Sequence, residues 1–131
     1  MTRLGSLTTG EAGERSGSTL LIPLGSIEQH GPHLPLDTDV VIAEAIAAGV
    51  VAAAPDAFVL GPTIAVGAAG EHEGFAGTLS ICNDALASKH VELRRGLVPQ
   101  FPVLAVVNAH GGNVAALRSG RDLSTEGGSV R

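Results

Sequence analysis

The clearest signal along the chain is an apolar run, Thr19 to Leu24 (TLLIPL), bounded by Ser18 and Gly25. A short run without alternation predicts a strand buried on both faces. The polar segment Ser26 to Asp37 follows, in which Gly31, Pro32 and Pro35 interrupt regular structure and predict a rigid loop. Thr38 is then placed to N-cap a helix over Val40 to Ala54, where Ile42, Ala45, Ile46, Gly49, Val50 and Ala53 recur at helical spacing before Pro55 stops it. The order repeats. Phe58 to Val66 is extended but broken by Gly61 and Pro62, and Gly67 to Gly77 is a second polar loop. Leu79 to Cys82 predicts a short strand, Asn83 an N-cap, and Ala85, Leu86, Lys89, Leu93 and Leu97 a helix that Pro99 ends. Val103 to Val107 (VLAVV) predicts a further buried strand that delivers Asn108 to Asn113 (NAHGGN) at its carboxyl end, followed by a short helix from Val114 to about Arg118. Strand, polar loop and helix in repetition predict an α/β fold, with a mainly parallel sheet covered by helices and the polar loops meeting along one edge.

The flanks read differently. Residues 1–18 carry mixed charges and many Gly, Ser and Thr without an apolar signal-peptide core, which predicts a flexible lead. Arg118 to Arg131 turns polar and Gly-rich and loses apolar periodicity, which predicts a disordered tail after a domain spanning 19–117. The 131 residues make one globular unit, and 44% hydrophobic against 16% charged residues is enough to build a core. Three Phe, no Trp or Tyr and 18 Gly make that core aliphatic and closely approached by backbone. A net charge of −5 supplies no basic stripe for nucleic acid, and no apolar stretch is long enough for a membrane span. The single Cys82 forms no internal disulfide and reads as a small buried hydrophobe in a reduced, cytoplasmic setting.

Chemistry concentrates in Ser26 to Asp39 (SIEQHGPHLPLDTD), where Glu28, His30, His33, Asp37 and Asp39 are the candidate ligands. Glu28 and His30 leave an extended segment on the same side and can converge on one centre. Mixed carboxylate and imidazole donors suit Zn, Mn or Fe(II), whereas Ca and Mg sites favour oxygen alone. The plain alternative is a solvated turn with hydrogen-bonded imidazoles, and Asp37 reads as a helix cap. His110 is either a core histidine bonded to backbone or a functional group where backbone approaches a ligand, since it stands between an apolar strand and Gly111-Gly112. His72, flanked by Glu71 and Glu73, reads as a substrate or supporting contact, and His90 as a surface residue.

Taken in order, GSIEQHGPHLPLDTD, GEHEGFAGTLS and NAHGGN resemble the creatininase (creatinine amidohydrolase) family, in particular its mycofactocin-system peptidase branch, over about Leu20 to Leu117. The resemblance implies a three-layer α/β/α amidohydrolase with two divalent metal ions at the carboxyl edge of the sheet. By position, Glu28 and His110 resemble ligands of one ion, His30 a ligand of the other, and Asp39 the carboxylate that bridges them. It implies hydrolysis of an amide by a metal-activated water, on a small amide or a modified peptide, including C-terminal dipeptide cleavage of a mycofactocin precursor peptide. It also implies homo-oligomers.

The chain departs from the family pattern in two places. Creatininase has a Glu two residues after the metal-binding His, where this chain has Gly112. Members with HGGN instead use a later segment resembling HAGExETS, which has no counterpart after Leu117; Asp122 and Glu126 do not recreate it. The expectation is therefore a truncated N-terminal portion, incomplete at its C-terminus. Two other readings stand beside the amidohydrolase. One is an inactive remnant retaining partial metal binding or an oligomerisation role. The other is a nucleotide-binding α/β domain, against which stands the absence of GxxxxGK[ST] or GxGxxG after a predicted strand.

Overall fold

The computed structural model describes residues 1–97 and 100–126. The stop signal at Pro99 and the last part of the tail, 127–131, lie outside the described residues. Three parallel strands form the sheet: β1 (Thr19–Leu24), β2 (Phe58–Leu60) and β3 (Val103–Asn108), in the order β2-β1-β3. β1 is central and pairs along its length with β3, from Thr19 opposite Val103 to Leu24 opposite Asn108. Its pairing with β2 is shorter, Thr19 to Leu21 against Phe58 to Leu60. A proline in a central strand removes a ladder donor. Pro23 is tolerated because its carbonyl accepts from Ile64 N–H, so its donorless nitrogen faces the side on which Gly61 and Pro62 already interrupt the ladder.

Helix α2 (Thr38–Ala53) covers one face and helices α3 (Asn83–Leu97) and α4 (Val114–Glu126) the other, which gives the three-layer α/β/α arrangement. Side chains of β1 alternate between the layers as the pleat requires. Leu21 packs with Ala47, Val51 and Leu60 under α2, while Leu20, Ile22 and Leu24 join the clusters under α3 and α4.

Several sequence expectations are corrected. The N-terminal lead is not free: α1 (Thr9–Glu14) is opened by a capping box between Thr8 and Glu11, and Leu60 N–H donates to Thr2 O. The Thr8 bonds hold the Glu11 carboxyl below its ordinary pKa. Asp37, not Thr38, is the N-cap position of α2, and its side chain makes no capping bond. The buried face of α2 is Ala43, Ala47 and Val51, whereas Ile42 and Ile46 are exposed. Small residues let the helix lie close to the sheet, and an almost uniformly apolar helix carries little directional signal. Leu79 to Cys82 forms no strand; Leu79 makes one antiparallel bridge with Ile27. β3 is only partly buried, because it lies at the edge of the described sheet. Cys82 is exposed, and His90 is half-buried between α3 and α4. The tail is helical through Glu126: Gly120 lets α4 approach the Ala87 carbonyl and the His90 ring, where a Cβ would lie at 3.0 and 3.2 Å.

One buried side chain joins the loops at the carboxyl edge. Asn113 Oδ1 accepts from Ala68 N–H at 2.8 Å, and Asn113 Nδ2 donates to Gly25 O and to Asn108 Oδ1, both at 3.0 Å. Gly67 is required beside it, since a Cβ there would overlap Asn113 Oδ1 and lie 2.6 Å from Gly25 O. Asn113→Ala would strand the Ala68 N–H and the Gly25 carbonyl in a dry site. We expect it to lower unfolding free energy by about 2–4 kcal/mol in urea titration. A loss below about 1 kcal/mol would mean that the loops are held by other contacts.

Candidate metal centre

The carboxyl ends of β1 and β3 lead to opposite faces of the sheet, into α2 and α4, which is where open α/β sheets form a crevice. Four of the predicted site residues meet there. Glu28 follows β1, Asp39 lies in the first turn of α2, and His110 follows β3; all three are buried, at 4%, 7% and 5% exposure. His110 Nδ1 stands 3.2 Å from both Glu28 Oε1 and Asp39 Oδ2, and the other Asp39 oxygen, Oδ1, lies 2.9 Å from His30 Nε2. Glu28, Asp39 and His110 each offer a ligand atom within 4.8 Å of the others. The helix N-terminus favours the Asp39 charge, and Ser26 Oγ donates to Glu28 Oε2 at 3.0 Å.

The outer nitrogens of the two imidazoles assign their tautomers. His110 Nε2–H donates to Ala68 O at 3.0 Å, and His30 Nδ1–H donates to Glu28 O at 3.0 Å. Carbonyl and carboxylate oxygens both only accept, so a neutral ring that turns its outer N–H to the carbonyl presents its remaining nitrogen to carboxylate oxygens. A lone pair against a carboxylate is repulsive unless a proton or a metal ion lies between them. Among the described residues, no Lys or Arg side chain pairs with Glu28 or Asp39. The donor set therefore fits a divalent ion of the Zn, Mn or Fe(II) type, with backbone carbonyls orienting the ligands from behind.

Without a metal ion, the surroundings of His30 favour a proton in that place. Desolvation opposes the charged ring, but the bonds to Glu28 O and Asp39 and the charges of Asp39 and Glu28 outweigh it, raising the pKa above its ordinary 6.5.

His33 and Asp37 are exposed and do not join the cluster. His72 does: its Nε2 lies 3.5 Å from Glu28 Oε1. Glu71, which the sequence reading placed only as a flank of His72, reaches His110 Nε2 at 3.2 Å. Its carboxylate occupies the space that a side chain at Gly112 would need, with Oε1 2.6 Å from the position of a Cβ there. A glycine two residues after His110 is thus the local signal that something else fills that corner. A pocket of about 360 Å³ opens beside it, lined by Glu71, Gly112, Ser80 and Asn83 among others.

The family model described as "Creatininase: Creatinine amidohydrolase" matches residues 5–129. The chain belongs to the creatininase family. The match extends beyond the Leu20 to Leu117 carried by the three motifs. The chain is 48% identical over 122 residues to the mycofactocin precursor peptide peptidase of Mycobacterium tuberculosis H37Rv, covering 87% of this chain and 48% of that protein. The protein of the same name from Mycobacterium ulcerans is 45% identical over 134 residues, covering 95% and 54%. The chain thus spans about half the length of the curated relatives it matches. Among solved structures, creatinine amidohydrolase superposes with a TM-score of 0.86 at 25% identity, over 95% of this chain and 51% of that one. A structure titled "Creatininase Mn" gives the same values, and a mutant creatininase of "Zn-Zn type" a TM-score of 0.85 at 26% identity, covering 94% and 50%.

The raised His30 pKa sets a pH dependence for the metal-free protein. A folded-state value above the unfolded one stabilises the fold in full below 6.5, and that stability is lost as pH rises through the folded-state value. Chelator-treated protein is expected to lose thermal stability across this interval, and His30→Gln to flatten the slope. An unchanged slope in the variant would contradict the assignment.

Proposed function

We propose that this chain carries the metal-binding half-site of a creatininase-family hydrolase that cleaves an amide bond in a peptide. One observation carries the reading: the inner nitrogens of His30 and His110 face the buried carboxylates of Asp39 and Glu28, while their outer nitrogens face backbone carbonyls. Glu28 and His110 would hold one divalent ion and His30 a second. Asp39 would serve both, which agrees with the division of its two oxygens between His110 and His30. Such ions would lower the pKa of a water toward neutrality and polarise a carbonyl oxygen.

The remaining work falls to the protein. Pro32 and Pro35 stiffen the loop that carries Glu28 and His30, so less entropy is lost when the ligands are fixed. Exposed Leu34, Leu36, Phe75 and Leu79 come from the two loops that bear the site and offer apolar contact for a peptide. The relatives named mycofactocin precursor peptide peptidase support a precursor peptide as substrate, and release of its C-terminal dipeptide is the reaction we assign. The same donor set supports one second reading, metal binding without turnover.

Elemental analysis after reconstitution with Zn, Mn or Fe(II) and removal of excess ion decides between them and failure. The active reading predicts about two ions per chain, a fall to about one or fewer in both His30→Ala and Asp39→Asn, and cleavage of a C-terminal peptide amide. Two ions without cleavage would leave metal binding alone. A ratio near zero in folded wild-type protein would overturn both.

A further inference from the structure

A third imidazole faces Glu28, and its polarity is the reverse of the other two. His72 ends the 3₁₀ turn Gly70–His72, and its ring stands against Phe75 and His110 with centroids 6.2 and 6.4 Å away. Its Nδ1 meets no carbonyl; it lies 3.2 Å from the side-chain amide nitrogen of Gln29. The other end of that amide settles which atom is which. Gly31 N–H donates to Gln29 Oε1 at 2.9 Å, and Gly31 holds a left-handed conformation, φ +73°, that glycine adopts without strain. A backbone N–H cannot donate to an NH₂ group, so the oxygen of Gln29 stays at Gly31 and the nitrogen at His72. His72 Nδ1 therefore accepts, and the proton of the neutral ring lies on Nε2, the atom that faces Glu28 Oε1 at 3.5 Å.

We propose that Gln29 is a positioning residue that holds His72 in its Nε2–H tautomer, so that His72 enters the centre as a hydrogen-bond donor to oxygen. Glu28, Glu71 and His72 do place ligand atoms within 4.8 Å of one another, a second grouping suited by distance to a metal ion. With Nδ1 engaged and Nε2 protonated, however, His72 has no lone pair to give one. An N–H at this point matches an amide carbonyl, whose oxygen gains negative charge as the carbon becomes tetrahedral. The identity of that oxygen rests on the hydrolase reading above; the tautomer does not.

The test is the tautomer itself, read by long-range ¹H–¹⁵N correlation spectra of the metal-free 131-residue chain labelled with ¹⁵N-histidine. The His72 signals are identified by their loss in His72→Asn. The expected spectrum has the His72 proton on Nε2 and an unprotonated Nδ1. In Gln29→Glu, one carboxylate oxygen still accepts from Gly31 and the other faces the ring, so a proton appears on Nδ1. A wild-type ring protonated on Nδ1, or an even mixture of tautomers, overturns the proposal, and so does a folded Gln29→Glu whose Nδ1 stays bare. If the variant does not fold, the wild-type spectrum decides alone. On activity, loss of such a donor in His72→Leu should lower kcat by about 10²–10³-fold with little change in KM. Because the spectra need neither metal nor turnover, failure of metal binding would overturn the hydrolase reading and leave the tautomer result standing.

Discussion

The site depends on the side-chain amide of Asn113, which ties together three segments remote in sequence. Gly25, the start of the loop bearing Glu28 and His30, is bonded to its nitrogen, and Ala68, at the base of the loop bearing Glu71 and His72, to its oxygen. Asn108 receives its second N–H, and Asn108 in turn bonds both the N–H and the carbonyl of His110. Ala68 is used twice, its N–H by Asn113 and its C=O by His110 Nε2. The bonds that close the loops over the sheet therefore also orient the ring of a candidate ligand. A buried amide satisfied on every side is rigid, and this rigidity lets carboxylates and imidazoles stand close without collapsing into alternative pairs.

Around this frame the three imidazoles are sorted by what stands behind them. A carbonyl behind His30 and another behind His110 leave a nitrogen free to bind a cation, whereas the amide nitrogen behind His72 leaves a donor. Residue type alone does not separate these roles. Burial makes the sorting consequential, since the Glu28 and Asp39 charges are removed from water and need either a proton or a metal ion as partner.

Much of this was legible in the sequence, for local reasons. TLLIPL announces a doubly buried strand because nothing in it alternates, and the ligands of the first polar loop stand out against an apolar chain. What was not legible is non-local. Two of the partners of Asn113, Ala68 and Gly25, lie 45 and 88 residues away, and no spacing rule points to them. The face of α2 was misread because Ile42 and Ile46 are more apolar than the alanines that are buried, so hydrophobicity pointed to the wrong side. The length of α4 was missed because its polar composition hides a packing determinant, the close approach at Gly120. The Thr8-to-Glu11 capping box has a local signal, a Thr followed three residues later by Glu, set among the Gly and Ser that suggest a flexible lead.

The central claim is that imidazole nitrogens and carboxylate oxygens of this chain jointly face a cation, within a fold that spans about half the length of its relatives. X-ray absorption at the zinc edge of the zinc-loaded chain tests it most directly. The account predicts an imidazole shell at about 2.0–2.1 Å, close to one ring per zinc, with oxygen completing the coordination. A first shell of oxygen alone, or an imidazole signal that survives His30→Ala with His110→Ala, would contradict it.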